Sequence, residues 1–287
     1  LANQYNKSEM EKIICSSEYF SAEDTLCCGQ VFRFSPADGG YIVFSGDKAC
    51  RVATAGDKTV ITSDDAEYFE NYFDLGGDYE SIVRAARKSG NPFLSGAAER
   101  GRGIRILRQD VEETLFSFVI SQNNNIPRIK GIIEKLSRAL GKEKKFGETT
   151  YYSFPKAADI AKESPIFYRE AGLGYRAEYL PAVADAISGG FDLNAAATLS
   201  TPDLKKELVK LKGVGPKVAD CVLLFGFHRS DSFPVDTWME KIYREDFGGT
   251  LSSRDKITEF FMREYGDNAG YFQQYMFHYK RNGKKPE

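Results

Sequence analysis

Leu211-Lys212-Gly213-Val214-Gly215-Pro216-Lys217-Val218-Ala219-Asp220-Cys221 is followed by an apolar run and then by Phe233-Pro234-Val235-Asp236-Thr237-Trp238-Met239-Glu240-Lys241-Ile242-Tyr243. The first stretch reads as a hairpin between two helices. Gly213 and Gly215 allow the positive φ of a tight turn and let a phosphate approach bare backbone N–H groups. Pro216 suits the first position of a helix, where its missing N–H costs nothing. Val218, Cys221, Val222 and Phe225 then recur at core spacing, so Lys217 falls in the first helical turn. A cation is mildly disfavoured there, because the helix N-terminus already carries partial positive charge. One explanation is a phosphate-binding lysine beside an anion-binding hairpin. The other is an amine nucleophile, whose pKa a positive neighbourhood and burial would lower. Freeing the amine from a reference pKa of about 10.4 costs roughly 4–5 kcal/mol at neutral pH unless the site shares that cost. Asp236 stands where the next helix begins. It reads as an N-cap, and also as a carboxylate held ionised by helix N–H groups beside a developing cation.

The hairpin, Lys217 and Pro234-Val235-Asp236 resemble the helix-hairpin-helix DNA glycosylases that also act as lyases. Four further pieces stand in order: Gly103 to Asp110 (Gly-Ile-Arg-Ile-Leu-Arg-Gln-Asp), Phe116-Ser117-Phe118, Asn123-Asn124-Asn125-Ile126 and Gly172-Leu173-Gly174-Tyr175-Arg176-Ala177. With them the chain resembles the 8-oxoguanine DNA glycosylase/AP lyase family from Gly29 to Phe277. The resemblance implies Lys217 as nucleophile and Asp236 as stabiliser of positive charge on the sugar. It implies a base pocket with Cys221 as one wall, Phe277 stacking, Gln273 at the Watson–Crick edge, and the Gly29 carbonyl accepting the N7–H that guanine lacks. Asn123 would enter the space left by the extruded base. Arg128, Tyr175 and Arg176 would meet the orphaned partner base, and Gly213, Gly215 and Val218 the DNA backbone. Trp238, the only tryptophan, stands where many relatives carry a histidine facing a phosphate. From local pattern alone, Cys221 is equally an apolar filler, the Asn run a helix cap, and Gln273 and Phe277 members of a core-packing helix.

Composition sets the limits. With 42% hydrophobic and 28% charged residues in 287, the chain has the make-up of an ordinary globular protein with a real core. No stretch reaches the length of a membrane span, and Leu1-Ala2-Asn3-Gln4 shows no signal-peptide pattern, so a cytoplasmic, nucleoid-associated or nuclear location is expected. Cysteines at 15, 27, 28, 50 and 221 have no metal-ligand spacing, and their odd number argues against a disulfide framework. No metal and no cofactor are expected. Net charge is −2, but averages hide patches. Basic residues gather at Arg100, Arg102, Arg105 and Arg108, at 128–145, and at Lys205, Lys206, Lys210 and Lys212. These runs flank the motifs, which predicts a DNA-facing surface and an affinity that falls steeply with salt.

The first sixty residues read as short strands at 31–34, 41–44, 49–52 and 59–62, separated by Gly- and Asp-rich turns. Helices follow around Phe69 to Phe73 and from Tyr79 to Arg87. From Asp110 onward the pattern predicts helices near 110–121, 127–140, 155–163, 176–188, 202–211, 216–226, 237–246, 253–264 and 268–281, with no competing strand. The tail from Asn282 to Glu287 is expected to fray. The fold class is α+β: an N-terminal antiparallel sheet domain over 1–106, then a mainly helical domain over 107–287. The leading function is a bifunctional repair enzyme, a monomer on duplex DNA, that excises 8-oxoguanine, preferentially opposite cytosine, and nicks the strand through a lysine Schiff base. An alkylated-base glycosylase and a non-catalytic duplex-DNA binding module are the alternatives.

Overall fold

The computed structural model describes residues 10–283, so Leu1 to Gln4 and the end of the tail lie outside the described residues. A five-stranded antiparallel sheet comes first: β1 (Glu11–Ser16), β2 (Phe34–Ala37), β3 (Gly40–Ser45), β4 (Lys48–Ala55) and β5 (Lys58–Ser63), in spatial order β1-β5-β4-β3-β2. Its turns fall at Gly39, Gly46 and Gly56, all with φ between 56° and 67°, which hairpin loops need and glycine supplies. Between β1 and β2 lies α1 (Ala22–Cys27), capped by Ser21. Both β1 and α1 escape the sequence pattern, since Glu-Lys-Ile-Ile-Cys-Ser alternates poorly and six residues are too few to show a helical stripe.

The strand expected from Val31 starts three residues later. Val31 enters the sheet core, Phe32 packs edge-on against Phe118 of the helical core at 5.6 Å, and Arg33 ion-pairs with Glu113 at 3.1 Å. This extended segment is a bridge between two cores instead of a sheet strand.

Three short helices, α2 (Ala66–Tyr72), α3 (Tyr79–Lys88) and α4 (Pro92–Arg100), are capped by Asp65, Asp78 and Asn91. The helical body comprises α5 (Val111–Ser121), α6 (Ile126–Leu140), α7 (Ala157–Ile160), α8 (Pro165–Glu170), α9 (Tyr179–Ser188), α10 (Leu193–Ala196), α11 (Thr201–Leu208), α12 (Pro216–Phe225), α13 (Thr237–Glu245), α14 (Arg254–Tyr265) and α15 (Ala269–Asn282). Most of the expected helices are present. One expectation fails: β6 (Glu143–Phe146) and β7 (Thr149–Tyr152) form a hairpin between α6 and α7. Its Lys144 and Lys145 read as part of a basic run, but Phe146 and Tyr151 pack against Ala49 of the first sheet.

Besides that small cluster, three larger cores hold these layers. Val43, Cys50, Val52 and Ile61 of the sheet pack on Phe69, Tyr72 and Phe73 of the α2 region. A second core joins α5, α6, α9 and α12. In the third, Val83, Leu94 and Ile104 pack with Met239, Phe261, Phe272 and Met276 from the C-terminal helices. Residues 79–104 thus share their interior with α13 to α15, across the division expected at 106/107.

Candidate active site

Gly215 is the N-cap of α12, Pro216 takes its first position, and Lys217 follows in the first turn. Only one hairpin glycine uses a positive φ: Gly213, at +89°. A side chain there would also run into the ring of Tyr179. Gly215 has ordinary extended geometry, φ −85°, and faces open space, so what it contributes is access to the helix start. The Val218 side chain is core, which leaves only its backbone N–H for a ligand. Gly213→Ala is expected to lower stability by roughly 2–4 kcal/mol, from the left-handed backbone and the ring overlap together. An unchanged midpoint in urea would contradict this packing.

Lys217 is half-buried. Part of its surface meets solvent, while protein encloses the ammonium, which lies 5.4 Å from the centre of the Phe118 ring. Cys221, one turn on, is buried and lies beside the lysine. The sequence leads one to expect a lowered lysine pKa; the resting site does the opposite. Burial pulls the value down, but the negative charges available at Cys221 and Asp236 outweigh it, and Lys217 sits above the ordinary lysine value. Burial also pushes the Cys221 thiol up to about 11, against the pull of the Lys217 ammonium beside it.

Asp236 caps α13 as expected: one carboxylate oxygen, Oδ1, accepts from the N–H groups of Trp238 at 2.9 Å and Met239 at 3.0 Å. Two residues upstream, the Pro234 carbonyl accepts from Gln273 Nε2 at 3.3 Å. Gln273 is buried, and its Oε1 has no partner. One turn further along α15, Phe277 lies against Gly29: a side chain on Gly29 would sit 3.6 Å from the ring. Gly29 has φ +92°, and Gln274 anchors its turn by donating to the Cys28 carbonyl at 2.8 Å. Lys217, Cys221 and Asp236 therefore form one cluster, and α15 brings Gln273 and Phe277 to Pro234 and Gly29.

The second constellation is built around Gln122, a residue the sequence does not single out. Its side chain donates to the Gly213 carbonyl at 2.9 Å, and its own carbonyl receives the Arg176 guanidinium, whose Nε lies at 2.6 Å. Arg176 also donates to the carbonyls of Asn123 at 2.8 Å and Leu173 at 3.2 Å, and is buried. Four of its five N–H donors are engaged inside the protein, so it positions the Asn123 loop instead of presenting itself to a base. Asn123 takes φ +46°, a conformation asparagine tolerates. Arg128 is exposed and donates to the Gly172 carbonyl at 2.9 Å, while Tyr175, three residues along that loop, is 53% exposed. Trp238 is 38% exposed next to Asp236. Hairpin, Asn loop and Gly172–Arg176 loop thus form one tied surface.

The basic runs contribute less than their sequence promises. Arg105 is buried against the Tyr79 ring at 4.4 Å, and Lys205 pairs at 2.8 Å with buried Asp220. Lys206 and Lys210 pair with Asp203 and Glu207. A cavity of about 500 Å³ between Glu67, Asp74, Arg108 and Tyr271 lies apart from Lys217, and its acidic walls do not suit phosphate. Among the described residues no His, Cys, Asp and Glu side chains are grouped to hold a metal, and no helix is long and apolar enough to cross a membrane.

The sequence model described as the N-terminal domain of 8-oxoguanine DNA glycosylase matches residues 12–115. A probable N-glycosylase/DNA lyase of Methanothermobacter thermautotrophicus is 32% identical over 238 residues, covering 76% of this chain and 75% of the relative. An N-glycosylase/DNA lyase of Arabidopsis thaliana is 33% identical, over 65% of this chain and 54% of the plant protein. The crystal structure of Clostridium acetobutylicum 8-oxoguanine glycosylase/lyase, in complex with double-stranded DNA containing cytosine opposite 8-oxoguanine, superposes with a TM-score of 0.88. The two are 35% identical over 96% of this chain and 99% of that one. Sequence match, fold and the lysine-bearing hairpin agree: the chain belongs to the 8-oxoguanine DNA glycosylase/lyase family of the helix-hairpin-helix superfamily.

Proposed function

We propose that this enzyme takes 8-oxoguanine out of duplex DNA, excises it with Lys217, and nicks the strand through the resulting Schiff base. The observation that carries the reading is the buried, unpartnered Gln273 Oε1, held beside Pro234-Val235-Asp236. A buried acceptor without a donor costs on the order of 1–3 kcal/mol, and the N1–H and N2–H donors of a guanine-type edge would relieve it. An alkylated adenine presents one donor on that edge, its N6 amino group, where the guanine type presents two, and family membership favours an enzyme over a DNA-binding module.

The chemistry follows from the cluster. Lys217 first gives up a proton, then its nitrogen bonds to the sugar C1′ as the C1′–N9 bond breaks and its electron pair leaves with the base, which takes up a proton. Asp236 keeps one oxygen on the helix N–H groups, leaving the other for the sugar as positive charge develops. Opening of the sugar ring gives an iminium on Lys217; loss of a C2′ proton then expels the 3′ phosphate. Gly29 discriminates because its carbonyl would accept N7–H from 8-oxoguanine but oppose the N7 lone pair of guanine.

Partner-base preference provides the test. Arg128 is exposed, and on leaving the Gly172 carbonyl its paired donors suit the N3 and O2 acceptors of an orphaned cytosine. Adenine would set its N6 amino group against them, a mismatch of roughly 1–3 kcal/mol. Single-turnover excision of 8-oxoguanine is expected to be about tenfold faster opposite cytosine than opposite adenine, with the gap shrinking in Arg128→Met. Equal rates opposite all four bases, or faster release of an alkylated base than of 8-oxoguanine, would contradict the reading.

A further inference from the structure

Arg281 has no place in the roles assigned so far. Gln273, Phe277 and Arg281 follow one another at intervals of four along α15, so they share a face of the helix and span roughly 12 Å of its axis. The first offers an amide, the second a ring, the third a guanidinium. The Arg281 guanidinium lies 5.9 Å from the centre of the Phe277 ring. One of its nitrogens, Nη1, stands 3.3 Å from where a side-chain carbon on Gly29 would be, closer to that point than Phe277 itself. The missing side chain at Gly29 therefore admits Arg281 as well as the ring. Among the described residues the guanidinium carries no ion pair, although it is partly covered. Its neighbour His278 faces Asp24, and Lys280 is taken by Glu245 and Asp246.

A flat base lying on Phe277 with its Watson–Crick edge at Gln273 points its imidazole edge along the helix toward Gly29 and Arg281. In 8-oxoguanine that edge carries a donor, N7–H, beside an acceptor, the C8 carbonyl. A backbone carbonyl and a guanidinium side by side are the complementary pair. We propose that Arg281 is a specificity-determining contact that donates to the C8 carbonyl oxygen of the extruded base, next to the Gly29 carbonyl that accepts N7–H. Guanine then fails twice, because its N7 lone pair meets an acceptor and its C8–H leaves a charged donor unmatched. The inference rests on the base pocket described under the proposed function and adds a second reader to it.

The test compares single-turnover base release from an 8-oxoguanine:cytosine duplex with nicking of the same duplex carrying an abasic site, where no base remains to be read. Arg281→Met is expected to slow base release about tenfold or more, as for loss of a charge-assisted hydrogen bond, and to slow abasic nicking by a much smaller factor. Arg281→Lys should recover much of the loss, since one carbonyl oxygen needs one donor. Equal factors on the two substrates, or an equal loss of affinity for undamaged duplex, would make Arg281 a structural or phosphate contact and overturn the proposal. Phe277→Ala separates the two levels. If it loses base release while Arg281→Met keeps it, the pocket stands and this inference falls; if both keep it, the pocket reading falls as well.

Discussion

Lys217→Gln is expected to abolish both base release and borohydride trapping, at least about a thousandfold below the unaltered protein, with affinity for duplex DNA within a few-fold. The loss is large because the variant removes the atom that forms the covalent bond in the proposed reaction. Affinity is expected to survive because the hairpin would meet phosphate through the backbone N–H groups at the start of α12, which the substitution leaves in place. Glutamine is also close in length to lysine, so the fold of the hairpin is expected to survive. The raised lysine pKa adds a pH signature: at neutral pH Lys217 is an ammonium, so the attacking amine is a minor form. Base release by the unaltered protein should therefore climb with pH through the neutral and mildly alkaline range. A Lys217→Gln variant that still forms a trapped adduct would show that another amine attacks.

Arg33→Met should be the most damaging substitution for stability away from the chemistry. Arg33 is buried where the sheet, α5 and β7 meet: it pairs with Glu113 at 3.1 Å and donates to the carbonyls of Gly46 at 3.2 Å and of Tyr152. Removing it strands a buried carboxylate whose remaining partner is the Gly46 N–H at 2.7 Å, at a cost of about 3–5 kcal/mol. The pH dependence has a definite sign. Burial already raises the Glu113 pKa above 4.5, opposed by Arg33, and losing Arg33 raises it further. A carboxyl with a raised folded-state pKa is destabilising once pH exceeds its unfolded value, and increasingly so up to the folded one. The deficit in urea midpoint should thus be smallest near pH 4 and widen toward neutrality, and Arg33→Met with Glu113→Leu should recover much of it. A deficit independent of pH would show that lost packing, not the stranded charge, dominates.

What the sequence made legible were features with local causes. Pro216 after Gly215 marks a helix start, Asp236 before Thr237 marks another, and both hold in the structure with Lys217 and Asp236 on one site. Features that depend on distant partners were hidden. Arg176 looks like any exposed basic residue until the carbonyls of Gln122, Asn123 and Leu173 converge on it. Gln122 has no periodicity or neighbour to mark it, since its role is to join segments nearly a hundred positions apart. Arg105 and Lys205 counted toward a basic surface because charge is visible in sequence and burial is not. Lysine titration misled in a similar way: burial and the helix end both favour the free amine, but the charges that oppose them lie at Cys221 and, from another helix, Asp236. Residues 143–152 misled for a third reason, since strands of only four residues, the first holding two lysines, lack the length that distinguishes strand from helix.

The central claim is that Lys217 is the nucleophile acting on 8-oxoguanine. It is tested most directly by borohydride trapping on an 8-oxoguanine:cytosine duplex, followed by protease digestion and mass spectrometry of the cross-linked peptide. The account predicts a covalent adduct carried by Lys217 itself. An adduct mapped to another residue, or no adduct with 8-oxoguanine while an alkylated base is released, would contradict it.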